Sequence, residues 1–174
     1  MIIISVILSI LIIKLINNKI KKDDYLRLNE SITKDNEEIE SLLNKKKKLI
    51  KDICNSINKL NEKEVFTKLS QIDKVEDSFA LDRCLNDFYN SLKEYLIINK
   101  AVVLEDKTLA KISKLKEIEI NLQAEKMYYN NECEKYNNNY EKLLYKGIIN
   151  KNNLEYHFPR DLEKNVLFDI LKDK

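Results

Sequence analysis

The residues able to do chemistry in this chain of 174 are few, and their spacing narrows what that chemistry could be. His157 is the sole histidine, so neither a His-rich metal site nor a histidine pair for proton shuttling can be assembled, and a cap or surface role is expected for it. Di-iron helical bundles need Glu-x-x-His pairs on two helices, which one histidine cannot supply. Cys54, Cys84 and Cys133 are an odd, scattered set without CxxC spacing. That is neither a disulfide framework nor a zinc site, and three buried thiols in a reducing compartment is the reading. With Gly147 as the one glycine, no GxGxxG, GxxxxGK[ST] or GxSxG motif exists. The expectation is a protein with no catalytic residues, no metal and no cofactor, and hence not an enzyme.

The charged residues carry more information. Lys45-Lys46-Lys47-Lys48 could touch phosphates, but four successive helical residues point in four directions, and a net charge of only +2 implies no specific nucleic-acid partner. The run reads as a solvated face with one inward member, Lys46, which falls on an apolar stripe between Leu42 and Leu49. Glu119 and Lys126 occupy equivalent stripe positions on a later helix. Lys46, Glu119 and Lys126 are therefore predicted to form an inward polar layer, because charges inside a bundle must pair. Tyr128, Tyr129, Tyr136 and Tyr140 read first as large core residues and only second as a recognition surface.

One glycine and one proline, Pro159, in a chain that is 34% charged exclude the hairpins and tight turns that sheets need. The class predicted is all-α. From Tyr25, the positions Leu28, Ile32, Ile39, Leu42, Leu49, Ile53, Ile57 and Leu60 form one stripe of a single helix. Asn61-Glu62-Lys63-Glu64 offers a cap for a second helix carrying Val65, Phe66, Leu69, Ile72 and Val75. Glu76-Asp77-Ser78 interrupts it before Phe79, Leu81, Leu85, Phe88, Leu92, Tyr95 and Leu96 resume the pattern. After a turn between Asn99 and Asp106 the spacing is cleanest. Ile112, Leu115, Glu119, Leu122, Lys126, Tyr129, Cys133, Tyr136, Tyr140 and Leu143 alternate three and four apart, predicting a helix of about 35 residues. Gly147 fits its C-terminal cap, and Pro159 opens a short final helix with Leu162, Val166, Leu167 and Ile170.

The amino-terminal run, with Ile2, Ile3, Ile4, Val6, Ile7, Leu8, Ile10, Leu11, Ile12 and Ile13, is the only long apolar stretch. It is short for a bilayer crossing of about 20 residues, but Lys14 can snorkel and the helix reads on through Asn17. A transmembrane signal anchor over residues 1–20, followed by a helical body over 21–174, is the expected organisation. A cleaved secretory signal is disfavoured by the lack of a basic segment before the run and of a small-residue cleavage site after it. A buried core helix is disfavoured by the lack of a polar face. Lys14, Lys19, Lys21 and Lys22 at or just past the run place the body in the cytoplasm by the positive-inside rule.

Two segments carry a family resemblance. Ile39-Glu40-Ser41-Leu42-Leu43-Asn44-Lys45-Lys46-Lys47-Lys48-Leu49-Ile50 resembles the isoleucine-acid pair, leucine, paired basic residues and leucine-isoleucine step of the LemA family. Glu119-Ile120-Asn121-Leu122-Gln123-Ala124-Glu125-Lys126-Met127-Tyr128-Tyr129-Asn130 is similar to its later run of acid, aliphatic, basic residue and Tyr-Asn. Lys51 stands where the family has proline, and Phe158-Pro159 arrives later than the family's tyrosine-proline step. The resemblance implies an elongated antiparallel bundle of three to four long helices and a short C-terminal helix, behind an N-terminal transmembrane helix. It implies no reaction.

The function expected is a membrane-anchored, single-pass, non-enzymatic helical scaffold. Its partners would be the lipid bilayer, an unidentified protein and, through self-association, its own copies. The alternative has the opposite topology: an envelope-facing coiled-coil rod or a membrane-lysis component.

Overall fold

A computed structural model of the chain describes residues 2–61, 64–67, 69–99, 104–140 and 155–156, without the side chains of 2–4, 139 and 140. Most of these residues are helical, with no strand among them. Helix α1 covers Ile2–Leu60, a 3-10 helix Leu69–Lys74, helix α2 Ser78–Ile98 and helix α3 Asp106–Tyr140. The absence of glycine and proline before Gly147 leaves nothing to break 59 residues of α1 or 35 of α3. Three α-helices are therefore described where three to four were expected. The predicted cap at Gly147 and the short helix after Pro159 lie outside the described residues, as does His157.

The chain divides into two compact units, Met1–Glu37 with Lys126–Glu155, and Glu38–Glu125 with Tyr156–Lys174. In the second unit α1 contributes Ile39, Leu42, Leu43, Ile50, Ile53, Cys54 and Ile57 to the core. Leu81, Leu85, Leu92 and Leu96 come from α2, and Ile112, Leu115 and Leu122 from α3. The α1 stripe differs from the expected one. Leu60 is exposed and Leu49 half-buried, while Leu43, Ile50 and Cys54 are buried. A helix serving two facing partners needs an arc wider than one stripe.

The predicted second helix over Val65 to Val75 is replaced by an irregular link and the short 3-10 helix. Asn58 explains why: its Nδ2 donates to the Phe66 carbonyl at 3.2 Å, and its Oδ1 accepts from the Phe66 amide at 2.9 Å. With both polar groups of Phe66 held by a side chain, that residue is withdrawn from helical pairing. Its ring then stands edge-on to Tyr95, 5.6 Å between centroids. Asn61 is not the N-cap expected of it. Its Nδ2 donates to the Ile57 carbonyl at 2.8 Å and to the Tyr95 hydroxyl at 2.7 Å, which closes the end of α1 instead. The break expected at Glu76 to Ser78 is the start of α2, where the Asp77 carboxylate accepts from the Ala80 amide at 2.7 Å. Tyr156 returns to this end of α2 and stacks on Phe79, 4.2 Å between centroids.

The first unit pairs the early part of α1 with the late part of α3. Tyr25 meets Tyr136 with ring centroids 4.1 Å apart, and Leu28 and Ile32 pack against them. Earlier on α3, Lys126, Tyr129 and Cys133 are also buried.

Candidate functional site

Lys46 is fully buried and Glu119 nearly so, and the two form an ion pair within the second unit. Helix α1 carries Lys46 on its buried arc because Leu42, Leu43 and Ile50 flank it three or four residues away and Ile53 lies seven residues on. Helix α3 carries Glu119 between Leu115 and Leu122 in the same way. The Lys46 ammonium also donates to Asn86 Oδ1 at 2.7 Å and lies 5.7 Å from the centre of the Tyr89 ring. The ammonium's three N–H groups thus meet a carboxylate, an amide oxygen and a π face. Burial, with the Glu119 carboxylate adding to it, pushes the Tyr89 phenol up to about 12.

Such a node does not suit nucleophilic chemistry, because the lysine is committed to structural partners. The node ties α1, α2 and α3 together through Lys46, Asn86, Tyr89 and Glu119. Lys126 is buried too, but it belongs to the first unit. The sequence reading named Lys46 and Glu119 and missed Asn86 and Tyr89. Tyr89 carried a usable signal, four residues past Leu85 and three before Leu92. Asn86 carried none in a chain so rich in asparagine.

Of the basic run, Lys45 and Lys48 are exposed, while Lys47 is half-buried and tied to Asp73 at 3.3 Å. Lys51, one turn on, reaches the same carboxylate at 2.5 Å. These two hydrogen-bonded lysines hold the Asp73 carboxyl below its ordinary range. A further pair links Lys111 to Asp52 at 3.0 Å. Together they tie α1 to the 3-10 helix and to α3 at the surface. The tyrosines divide: Tyr129 and Tyr136 are buried, Tyr128 is exposed, and the Tyr140 side chain lies outside the described residues.

The cysteines are free. Cys54 and Cys133 are buried and Cys84 half-buried, which corrects the expectation of three buried thiols. Burial pushes Cys54 up to about 12 and raises the other two, so none is disposed to react as a thiolate. No group of three His, Cys, Asp or Glu able to hold a metal occurs among the described residues.

The apolar run is the other candidate. Val6, Ile7, Leu8, Ile10, Leu11, Ile12 and Ile13 are all about half exposed, with Leu15 at 67%, and they point around the whole circumference of α1. Among the described residues no helix is long and apolar enough to cross a membrane, and the side chains of Ile2, Ile3 and Ile4, which open the run, are not among those described. No family model, curated protein or solved structure matches the chain.

Proposed function

We propose that this protein is a membrane-anchored, non-enzymatic helical scaffold with its body on the cytoplasmic side, a divergent relative of the LemA family. The observation that carries the reading is the exposure of an apolar run on every side of α1. A helix that packs on a protein partner needs one apolar stripe, whereas a helix apolar all round suits an isotropic apolar solvent. The lipid bilayer is that solvent, with Ile2 to Ile16 inside it and Lys19, Lys21 and Lys22 at the cytoplasmic surface. Elongated helices then present the exposed side of the body to a protein partner or to a second copy.

The test is extraction. Full-length protein should remain with membranes through high salt and carbonate. Ile7→Lys with Leu11→Lys should move it to the soluble fraction, since each buried charge costs roughly 2.5–3.5 kcal/mol at mid-bilayer. Both positions are exposed on α1, so the helical content should not change. Release of the unaltered protein by carbonate would overturn the anchor. A membrane-impermeant thiol reagent should fail to label a cysteine introduced near Lys174 in intact cells. Labelling there would favour the envelope-facing topology.

A further inference from the structure

Where the apolar run ends, α1 acquires two unlike faces. Lys14, Asn18, Lys21 and Lys22 follow one another at steps of four, three and one, which sets them side by side on one face of the helix, and the three lysines are exposed. On the other side Ile13, Ile16 and Ile20 repeat at three and four, and each is more than half exposed. Apolar surface therefore continues past Ile16 on one face while lysines occupy the other. The nearby acids are kept off the basic face: Asp23 falls opposite it, four residues after Lys19, and Asp24 stands at its edge. The positions four residues before and after Lys14, Lys21 and Lys22 hold aliphatic residues, asparagines and a tyrosine, so no carboxylate is set to pair with them at that spacing. None of the three lysines forms an ion pair among the described residues.

Lysines after an apolar run set its orientation whichever way their side chains point. Sorting them onto one face, with an apolar stripe behind, goes beyond what orientation requires. It is the pattern of an interfacial segment, whose apolar side sits among acyl chains while its charges converge on one patch of headgroups. Helical side chains lean toward the N-terminus, so Lys21 and Lys22 incline back toward the bilayer, and the long stem of Lys14 lets its ammonium reach the same layer.

We propose that the face of α1 carrying Lys14, Lys21 and Lys22 binds the headgroups of anionic phospholipids, with Ile16 and Ile20 seated among the acyl chains. The inference rests on the membrane anchor proposed above and names its lipid class. Three ammonium groups on one face, with no carboxylate paired to them among the described residues, match phosphodiesters of net negative charge. A zwitterionic headgroup brings a cation of its own, which the same face repels. Lys19, on another face beside Asp23, is not part of the patch.

Spin-label spectroscopy of the full-length protein reconstituted in phosphatidylcholine vesicles tests this. A trace of spin-labelled phosphatidylglycerol should be immobilised at the protein more than spin-labelled phosphatidylcholine, with an affinity ratio of about fivefold, the worth of one lysine at a membrane surface. Lys14→Gln with Lys21→Gln and Lys22→Gln should abolish the preference, and high salt should reduce it. Lys21→Gln alone should lower the ratio, whereas Lys19→Gln, which removes the same charge from another face, should leave it unchanged. Equal immobilisation of the two labels by unaltered protein that stays in the vesicles through carbonate would overturn the proposal and leave the anchor standing. Release of the protein from the vesicles by carbonate would overturn both. Equal losses from Lys19→Gln and Lys21→Gln would overturn the assignment to one face, since charge number alone would then set the preference.

Discussion

Helix α1 places two apolar sequences in opposite circumstances. Between Ile39 and Ile57 the aliphatic residues are interleaved with charges and all but Leu49 are buried, along with Lys46; between Val6 and Ile16 they are nearly continuous and are exposed. The more hydrophobic stretch is thus the less buried. Interleaving gives a helix one face for its neighbours and another for water, whereas a continuous run has no face to hide. Hydrophobicity alone does not decide burial here; pattern does, and a charge in register can be buried where an isoleucine out of register is not.

The sharpest way to break this comparison is to attack the buried charge. Lys46→Met should destabilise the protein by roughly 3–5 kcal/mol, because it strands Glu119 in the core. The double variant Lys46→Met with Glu119→Leu should recover most of that loss, since the pair itself adds little net stability. Denaturation followed by circular dichroism measures both. Additive losses would show that each side chain matters for its own packing and that the node specifies nothing.

A second contrast lies within the same helix, one turn apart. Ile57 is fully buried and Leu60 is 45% exposed, although both sit on the stripe that periodicity assigns. Ile57→Ala should cost about 2–5 kcal/mol and Leu60→Ala within about 0.5 kcal/mol. Similar losses at both sites would mean that Leu60 has a partner.

These cases show what was legible in the sequence and what was not. Every stripe residue of α3 from Ile112 to Tyr136 is buried, Glu119 and Lys126 included, because that helix buries a single face and its spacing never slips. For α1 the arc was wider than the stripe, so Ile50 and Cys54 were passed over in favour of Leu49 and Leu60. The link after Asn61 is not legible from periodicity, because its shape depends on Asn58 reaching Phe66 eight residues on and on Asn61 finding Tyr95 across the fold. An asparagine that could cap, turn or bridge does not announce which it will do. Glu76-Asp77-Ser78 was readable because an N-cap acts locally, and Asp77→Ala should cost about 1 kcal/mol, read as a lower melting temperature.

The smallest effect concerns the surface rather than the core. Asp73 is held by Lys51 and Lys47, and those hydrogen bonds depress its pKa below the ordinary value of 3.8. The unfolded chain therefore takes up the Asp73 proton at a higher pH than the folded one. It follows that this contribution is present above about pH 4 and is lost as the pH falls through the folded-state value. The carboxylate is open to solvent, so the effect should be slight and should shrink in high salt, unlike that of the buried Lys46 pair. Asp73→Asn should lower the melting temperature slightly at neutral pH, and the gap from the unaltered protein should close as the pH falls through the folded-state value. Lys47→Glu should act in the same direction, because Lys47 serves Asp73 and is not a free surface charge. A gap that persists in strong acid would mean that Asp73 stabilises the 3-10 helix by some means other than its charge.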